Sequence, residues 1–413
     1  MNLTPAMQQF YELKEQNPDS ILFFRMGDFY EMFDEDAHIA HKVLGINITS
    51  RNKNADKPQP LAGIPYHAKD KYLPQLVNAG YKVAIAEQVS DPNLKGIVKR
   101  EIVRVVTPST LSLEGETYKS NDISNFIVAI IESDGNYGIS LLDPSTGVWK
   151  TGEIVNFDLL AGELYKISPK EVILEKKLFG DQKIKEVLQK KYSLNIYYFD
   201  AQKNPKEKLI KHFGVKNLEG FSLEKLTLAQ KASSLILEYL ESTQKTDLSY
   251  LDSIGVISFT NYMNLDETTI RSLDLLYNMG SKSATLGTVF GVLDETKTSM
   301  GKRYLREQII RPLQNLEEIE KRHSIIEEFL KNSILLDKVT LKLREVSDLD
   351  NILSRLALGR ANPRDLLNLK RSLQTILEVY ELIKSQGSEK LVRLLEVKPS
   401  LSLSQRERSS FKK

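Results

Sequence analysis

Between residues 125 and 154 the chain spells out three β-strands in succession. NFIVAIIES, NYGISLLD and GVWKTGEI are rich in apolar and β-branched residues. Turn signals separate them, Ser133-Asp134-Gly135-Asn136 and Asp143-Pro144-Ser145-Thr146-Gly147. Gly, Asn and Asp accept positive φ at small cost and Pro presets φ, so these runs are expected to fold back on one another as hairpins. A sheet so formed has to bury at least one face. The sequence that follows supplies helices and two more short strands, EVILE (Glu171 to Glu175) and NIYYF (Asn195 to Phe199).

Three hairpin-linked strands followed by α/β alternation form a ribonuclease H-like layout. It leaves two readings of Asp143, which ends the second strand. As a ligand in a two-metal nuclease it would need several converging carboxylates, and no partner for it can be assigned. As a turn-former it needs only its own loop.

Upstream, residues 1–118 alternate strand and helix. Ile21 to Met26 is a strand, followed by a helix that stops at Gly45, a typical left-handed C-terminal residue. Then come strand Ile46 to Ser50, a polar loop Arg51 to Pro60, the turn-rich LAGIPYHAKD, helix Lys69 to Asn78, and strands Tyr81 to Val89 and Ile102 to Val106. This is a small mixed α/β domain. Residues 119–124 read as a linker, and 125–245 as the second domain.

From 255 to 413 the pattern is helical. Thr288 to Leu305, Leu316 to Leu330, Ile334 to Leu343 and Pro363 to Ile383 show 3.6-residue spacing, with Asn362 as N-cap and Pro363 at the first helical position. The whole is multidomain α/β plus an all-α bundle. Its last residues, SLSLSQRERSSFKK, lose the periodicity.

The 413 residues include no cysteine and five histidines, which removes disulfides, thiolate metal sites and a cysteine nucleophile. No apolar run reaches the ~18 residues of a membrane span. With no secretory pattern at the N-terminus, a cytoplasmic protein is the simplest expectation. Net charge is +2. Residues 1–115 hold 13 Lys+Arg against 14 Asp+Glu, whereas 301–413 hold 23 against 16, a basic bias that phosphate or plain solvation explains equally.

The segment Phe23-Phe24-Arg25-Met26-Gly27-Asp28-Phe29-Tyr30-Glu31-Met32-Phe33 reads as a strand entering a helix. Asp28 then caps the helix, with Glu31 at N3, and Tyr30, Phe33, Ala37, Ala40 and Leu44 form the core stripe. On that reading Phe29 is one more core residue and Glu31 satisfies a backbone N–H. A second reading makes the pair an exposed tool. Phe29 would wedge between base steps, at least cost where pairing is weak, and Glu31 would bond a displaced base edge while opposing non-specific binding.

FRMGDFYEMF, then PLAGIPYHAKDKYLPQLVNAGYKVAIAEQV, then KREIVRVVTPSTL, resembles the mismatch-binding domain of the bacterial MutS family of DNA mismatch repair proteins, in order over residues 5 to 115. The family's Phe-x-Glu signature falls on Phe29-Tyr30-Glu31. The resemblance implies that Phe29 stacks on a mismatched base from the minor groove and that Glu31 hydrogen-bonds it. Met26 and His67, the latter in GIPYHA, fall near the expected DNA face. Arg51, with Lys53 and Lys57, lies in a polar loop that reaches phosphates or simply meets solvent. The 125–245 block is similar to the family's connector domain, a ribonuclease H-like fold without nuclease activity. NLDETTIRSLDLL, SATLGTVFGVLDETKTSMGKRYLREQIIRPL and DLDNILSRLALGRANPRDLLNLKRSL resemble the first half of its helical core, or lever, domain.

The resemblance stops short of the family's clamp and ATPase domains. Gly301-Lys302 is followed by Arg303 and preceded at the glycine position by Thr296, so no P-loop is present. The expectation is a chain without its own ATP or Mg²⁺ site, a truncated MutS or one piece of a split gene. What the resemblance implies for partners is mismatched duplex DNA, a homodimer and a MutL-like repair protein, in a bacterial cytoplasm at the nucleoid. The competing functions are a non-catalytic scaffold acting through the connector and a metal-dependent nuclease. Helices lacking the second half of the lever would expose apolar faces, making the third block the least stable.

Overall fold

A computed structural model describes residues 4–50, 58–90, 98–114, 125–192, 194–200, 204–257, 262–276 and 286–394. The chain divides into two compact units, Met1–Ser258 with Leu353–Ala361, and Phe259–Ile352 with Asn362–Lys413. The first is mixed α/β and the second helical.

In the first unit the order opens α1 (Pro5–Gln16), β1 (Ser20–Met26), β2 (Phe29–Phe33), α2 (Asp34–Leu44), β3 (Thr49–Ser50), β4 (Pro60–Pro65), α3 (Lys69–Asn78), β5 (Lys82–Gln88) and β6 (Arg100–Val106). The strands make one sheet in the order β3-β4-β2-β1-β5-β6, with β1 and β5 parallel and the other neighbours antiparallel. Central β1 is covered on both faces, which explains its unbroken apolar run. Ile21 and Phe23 pack with α2 and α3 (Ala37, Ala40, Leu73, Leu76), whereas Leu22 and Phe24 pack with α1 (Met7, Phe10, Leu13).

Three expectations change here. The residues after Met26 form a hairpin, not a helix. Gly27 takes φ +58°, which lets Gly27-Asp28 connect paired Met26 and Phe29 and allows Phe29–Phe33 to return beside β1. Gly is the residue that adopts this conformation freely at the first connecting position. Asp28 is therefore a turn residue and Glu31 a strand residue. The helix starts at Asp34, where Asp34, Glu35 and Asp36 meet the positive end of its dipole, and it ends on Gly45 at φ +69° as expected. Second, PLAGIP is a strand. Third, the strand expected over Ile46 to Ser50 shrinks to Thr49–Ser50.

The unit continues with β7 (Ile127–Ser133), β8 (Asn136–Asp143), β9 (Val148–Ile154), α4 (Phe157–Ile167), β10 (Glu171–Leu174), α5 (Lys176–Gly180), α6 (Gln182–Glu186), β11 (Ile196–Tyr198), α7 (Pro205–Phe213), α8 (Thr227–Gln244) and β12 (Gly255–Val256). The expected hairpins are present. A second sheet runs β11-β10-β7-β8-β9-β12, antiparallel across β7, β8 and β9, with β10 and β11 parallel to β7. Helix α8 crosses it, burying Ala229, Ala232, Ile236 and Leu240. Gly138 makes this approach possible, because a Cβ there would lie 2.2 Å from the Leu228 carbonyl oxygen.

A polar junction ties the two sheets' surroundings together. Buried Glu171 accepts from Thr107 Oγ1 at 2.7 Å, from the Ser109 amide and hydroxyl, and from Tyr239 Oη at 2.9 Å. Lys82 Nζ lies 4.0 Å from the Tyr197 ring centroid.

The second unit holds α9 (Glu267–Ser272), α10 (Val289–Leu293), α11 (Ser299–Ile310), α12 (Leu316–Lys331), α13 (Ser333–Leu343), the start of α14 (Leu349–Ala357), α15 (Pro363–Gln386) and α16 (Glu389–Leu394). Asn362 caps α15 in a reciprocal capping box with Asp365. The helix expected over Thr288 to Leu305 is two helices. Thr298 caps α11 through the Gly301 amide, and Asp294 bonds Thr296 in the intervening turn, so local side-chain bonding outcompetes helix continuity. Leu353–Ala361, expected in the helical block, clusters with the first unit. The expected linker, the Gly280 to Gly287 turn up to residue 285, and the chain's last residues lie outside the described residues. Among the described residues no helix is long and apolar enough to cross a membrane.

Candidate nucleic-acid interface

The β1–β2 hairpin positions the candidate residues. Residues facing each other in an antiparallel pair project to the same side of the sheet. Met26, Phe29 and Pro65 therefore form one row across β1, β2 and β4, and Phe24, Glu31 and Gly63 the next row on that side. Helix α1 covers the deeper part of this face, with Phe10 4.8 Å from Phe33 between ring centroids. The hairpin tip is not covered, and Phe29 stays 47% exposed. Tyr30 and Met32, pointing the other way, are buried. Phe29 is thus an exposed strand residue rather than part of the core stripe.

Glu31 is half-buried one row behind Phe29. Its neighbour Gly63 leaves space beside both. A Cβ at Gly63 would lie 3.9 Å from Glu31 Cγ and 4.0 Å from Phe29 Cδ1. Met26 is half-buried and packs against the Phe10, Phe24 and Phe33 cluster, so it flanks Phe29 while serving the core. His67 is exposed in a one-turn 3-10 helix after β4, its ring 5.8 Å from that of Tyr66. Arg51, Lys53 and Lys57 lie outside the described residues. The structure thus gathers Phe29, Glu31 and Met26 on one face.

The hairpin rests on a fixed base. Tyr30 donates its hydroxyl to Glu87, and burial, reinforced by that carboxylate, holds the Tyr30 phenol well above its ordinary pKa. Buried Asp36 accepts from the Leu22 amide at 2.9 Å and Lys14 Nζ at 2.8 Å, and burial raises its pKa in spite of these bonds. Tyr11 bonds Asp34 at 2.8 Å, and burial and that bond push it up to about 12.

Sequence reasoning passed over Gly63, Arg25 and Tyr66. The signal for Gly63 was a glycine inside a strand-like run; a Cβ there would meet its neighbours only at ordinary contact distance, 3.6 Å from the Tyr30 carbonyl oxygen. Asp143 is 2% exposed, and its Oδ1 accepts from the Ser145 amide at 2.9 Å and hydroxyl at 2.6 Å. It forms its own turn. Among the described residues no group of three or more His, Asp or Glu gathers to hold a metal ion.

Three family models match the chain in order. They are described as MutS domain I over residues 4–115, MutS domain II over 125–252 and MutS domain III over 268–410. The DNA mismatch repair protein MutS of Methanococcoides burtonii is 37% identical over 407 residues, covering 95% of this chain and 45% of that protein. The protein of the same name from Lachnoclostridium phytofermentans is 38% identical, covering 95% and 42%. That of Dehalococcoides mccartyi is 38% identical, covering 92% and 44%. The chain therefore spans under half the length of these relatives.

Proposed function

The chain belongs to the MutS family, and on that footing we propose that it acts in DNA mismatch repair by binding mismatched or unpaired bases in duplex DNA, with Phe29 as the wedge and Glu31 as the hydrogen-bonding partner. The observation that carries this reading is the bare hairpin tip: a large aromatic side chain held in the open, one row from a half-buried carboxylate. Burying an aromatic between base steps costs unstacking energy, and a weakly paired step is cheaper to open than a sound one. Glu31 then bonds the displaced base edge and repels sound duplex, whose phosphates approach without compensation.

In this reading the second sheet is the ribonuclease H-like connector. Its strand order, three antiparallel strands with two parallel additions beside the first, supports that assignment. The helical unit is the first part of the lever. Catalysis is not assigned to this chain. ATP, Mg²⁺, a second copy and a MutL-like protein belong to the proposed whole assembly, in a bacterial cytoplasm at the nucleoid.

Fluorescence anisotropy with a labelled duplex tests the reading. A duplex with a G·T mismatch or one unpaired T should bind more tightly than the paired control, and Phe29→Ala should remove the difference. Equal binding of both duplexes by the unaltered chain at low and moderate salt would contradict it.

A further inference from the structure

We infer that Arg25 is a positioning residue that braces the hairpin tip from the side opposite Phe29 and so fixes the angle at which the wedge meets DNA. The proposal rests on the mismatch-binding reading above.

Arg25 pairs in register with Tyr30, and Ile64 on β4 completes the same row. Strand alternation therefore puts Arg25 behind the sheet face that carries Met26 and Phe29. Its guanidinium lies 3.7 Å from the ring centroid of Tyr66, the first residue past β4, and 5.6 Å from that of Tyr30. Its Nε donates to the Gly27 carbonyl. The next carbonyl, that of Asp28, accepts from the Tyr66 amide at 2.9 Å. Both peptide carbonyls just before Phe29 are thus gripped, one by the Arg25 side chain and one by the Tyr66 backbone. The two grips are joined by the cation-on-ring stack. Arg25 is itself anchored, since its own carbonyl accepts Arg100 Nε at 2.6 Å.

A two-residue turn containing a glycine is otherwise a soft joint. A wedge on a soft joint would pay for its ordering on each insertion, and a braced one does not. Guanidinium suits the task better than ammonium, because its plane stacks on the ring while the edge still donates.

The experiment uses the full chain and Arg25→Ala, Arg25→Lys, Tyr66→Ala and Tyr66→Phe. Anisotropy with mismatched and paired duplexes over a salt series gives the mismatch-to-paired affinity ratio and the salt slope. Hydrogen exchange of peptides spanning 25–33 and 64–68, against 82–88 as internal control, reads the brace without DNA. The brace predicts a ratio reduced roughly three- to tenfold in Arg25→Ala and Tyr66→Ala, with an unchanged salt slope. Exchange should be faster at the hairpin and at Tyr66 but not in β5. Tyr66→Phe, which keeps the ring, should behave as the unaltered chain, and Arg25→Lys should fall between. An affinity loss equal on both duplexes, with a salt slope lower by about one, would make Arg25 a phosphate contact and overturn the proposal. So would unchanged hairpin exchange in Arg25→Ala. If the unaltered chain shows no mismatch preference, the functional reading fails and the exchange result alone decides the brace.

Discussion

The two units bury their apolar residues to very different degrees. In the first, strands are covered on both faces, and α8 is buried nearly all round. In the second, α12 has no fully buried residue, and Leu316, Ile326, Leu330 and Ile334 stand in solvent. Among its described residues one small cluster gathers Leu335, Val339, Ile383 and Leu391, backed by Phe329 and Val379, and Ile270, Phe290 and Ile310 are buried elsewhere. A polar clamp does part of the holding. Arg303 donates to both oxygens of Asp348, at 2.7 and 2.9 Å, and to Asp350 at 2.7 Å. A 3.6-residue apolar period therefore tells which side of a helix needs cover, and only the structure tells whether it has it. In the first unit that cover lets a hairpin tip hold an aromatic outward. In the second, apolar exposure among the described residues is spread over several helices.

The contrast can be broken hardest at Gly138. Adding a Cβ where only 2.2 Å separates it from the Leu228 carbonyl should cost about 3 kcal/mol, since a backbone atom cannot rotate away. Urea unfolding followed through Trp149, the chain's single tryptophan and buried in the first unit, should show this for Gly138→Ala. Exchange in α12, α13 and α15 should not change. Loss of both units together would show that they do not fold independently.

Alkaline pH gives a smaller and graded separation. Burial holds the phenols of Tyr30, Tyr197, Tyr239 and Tyr250 above the ordinary value of 10.0. Their contribution to stability is complete below pH 10 and is lost as pH rises past it, because the unfolded chain releases protons first. Lys82, lowered by burial, acts oppositely up to its ordinary 10.5, but four tyrosines outweigh one lysine. The second unit buries no tyrosine among its described residues. The Trp149 midpoint should therefore fall above pH 10, less steeply in Tyr239→Phe, while protection in α12 and α13, taken relative to the base-catalysed intrinsic exchange rate, holds. An equal fall in both units would remove the tyrosines as the cause.

The smallest effect is expected on the second unit's surface. Leu330→Lys with Ile334→Lys should change stability by under about 0.5 kcal/mol per site yet reduce self-association in light scattering. A large loss of stability would mean that these side chains are covered in solution.

How much of this was legible beforehand varies with the physics involved. The hairpins at 125–154 could be read because turn residues and strand runs agree. The N-cap at Asn362 could be read because Pro363 follows it at the first helical position, whereas its reciprocal bond with Asp365 came from the structure. The hairpin at Phe29 could not. FYEMF suits a helix or a strand over five residues, and Asp28 resembles an N-cap; the positive φ of Gly27 and pairing with β1 and β4 decide the matter. The wedge pair itself came from the resemblance, because spacing favoured a buried Phe29 and a capping Glu31. Arg25 and Tyr66 meet through three strands, a relation no local pattern announces.

The central claim is that Phe29 enters the base stack at a weakly paired step. The most direct measurement places 2-aminopurine, whose fluorescence rises when it is unstacked, beside a G·T mismatch and titrates the chain. A rise on the mismatched duplex that is absent from the paired duplex and lost in Phe29→Ala is the predicted result. The same rise with Phe29→Ala, or none with the unaltered chain once bound, would contradict it.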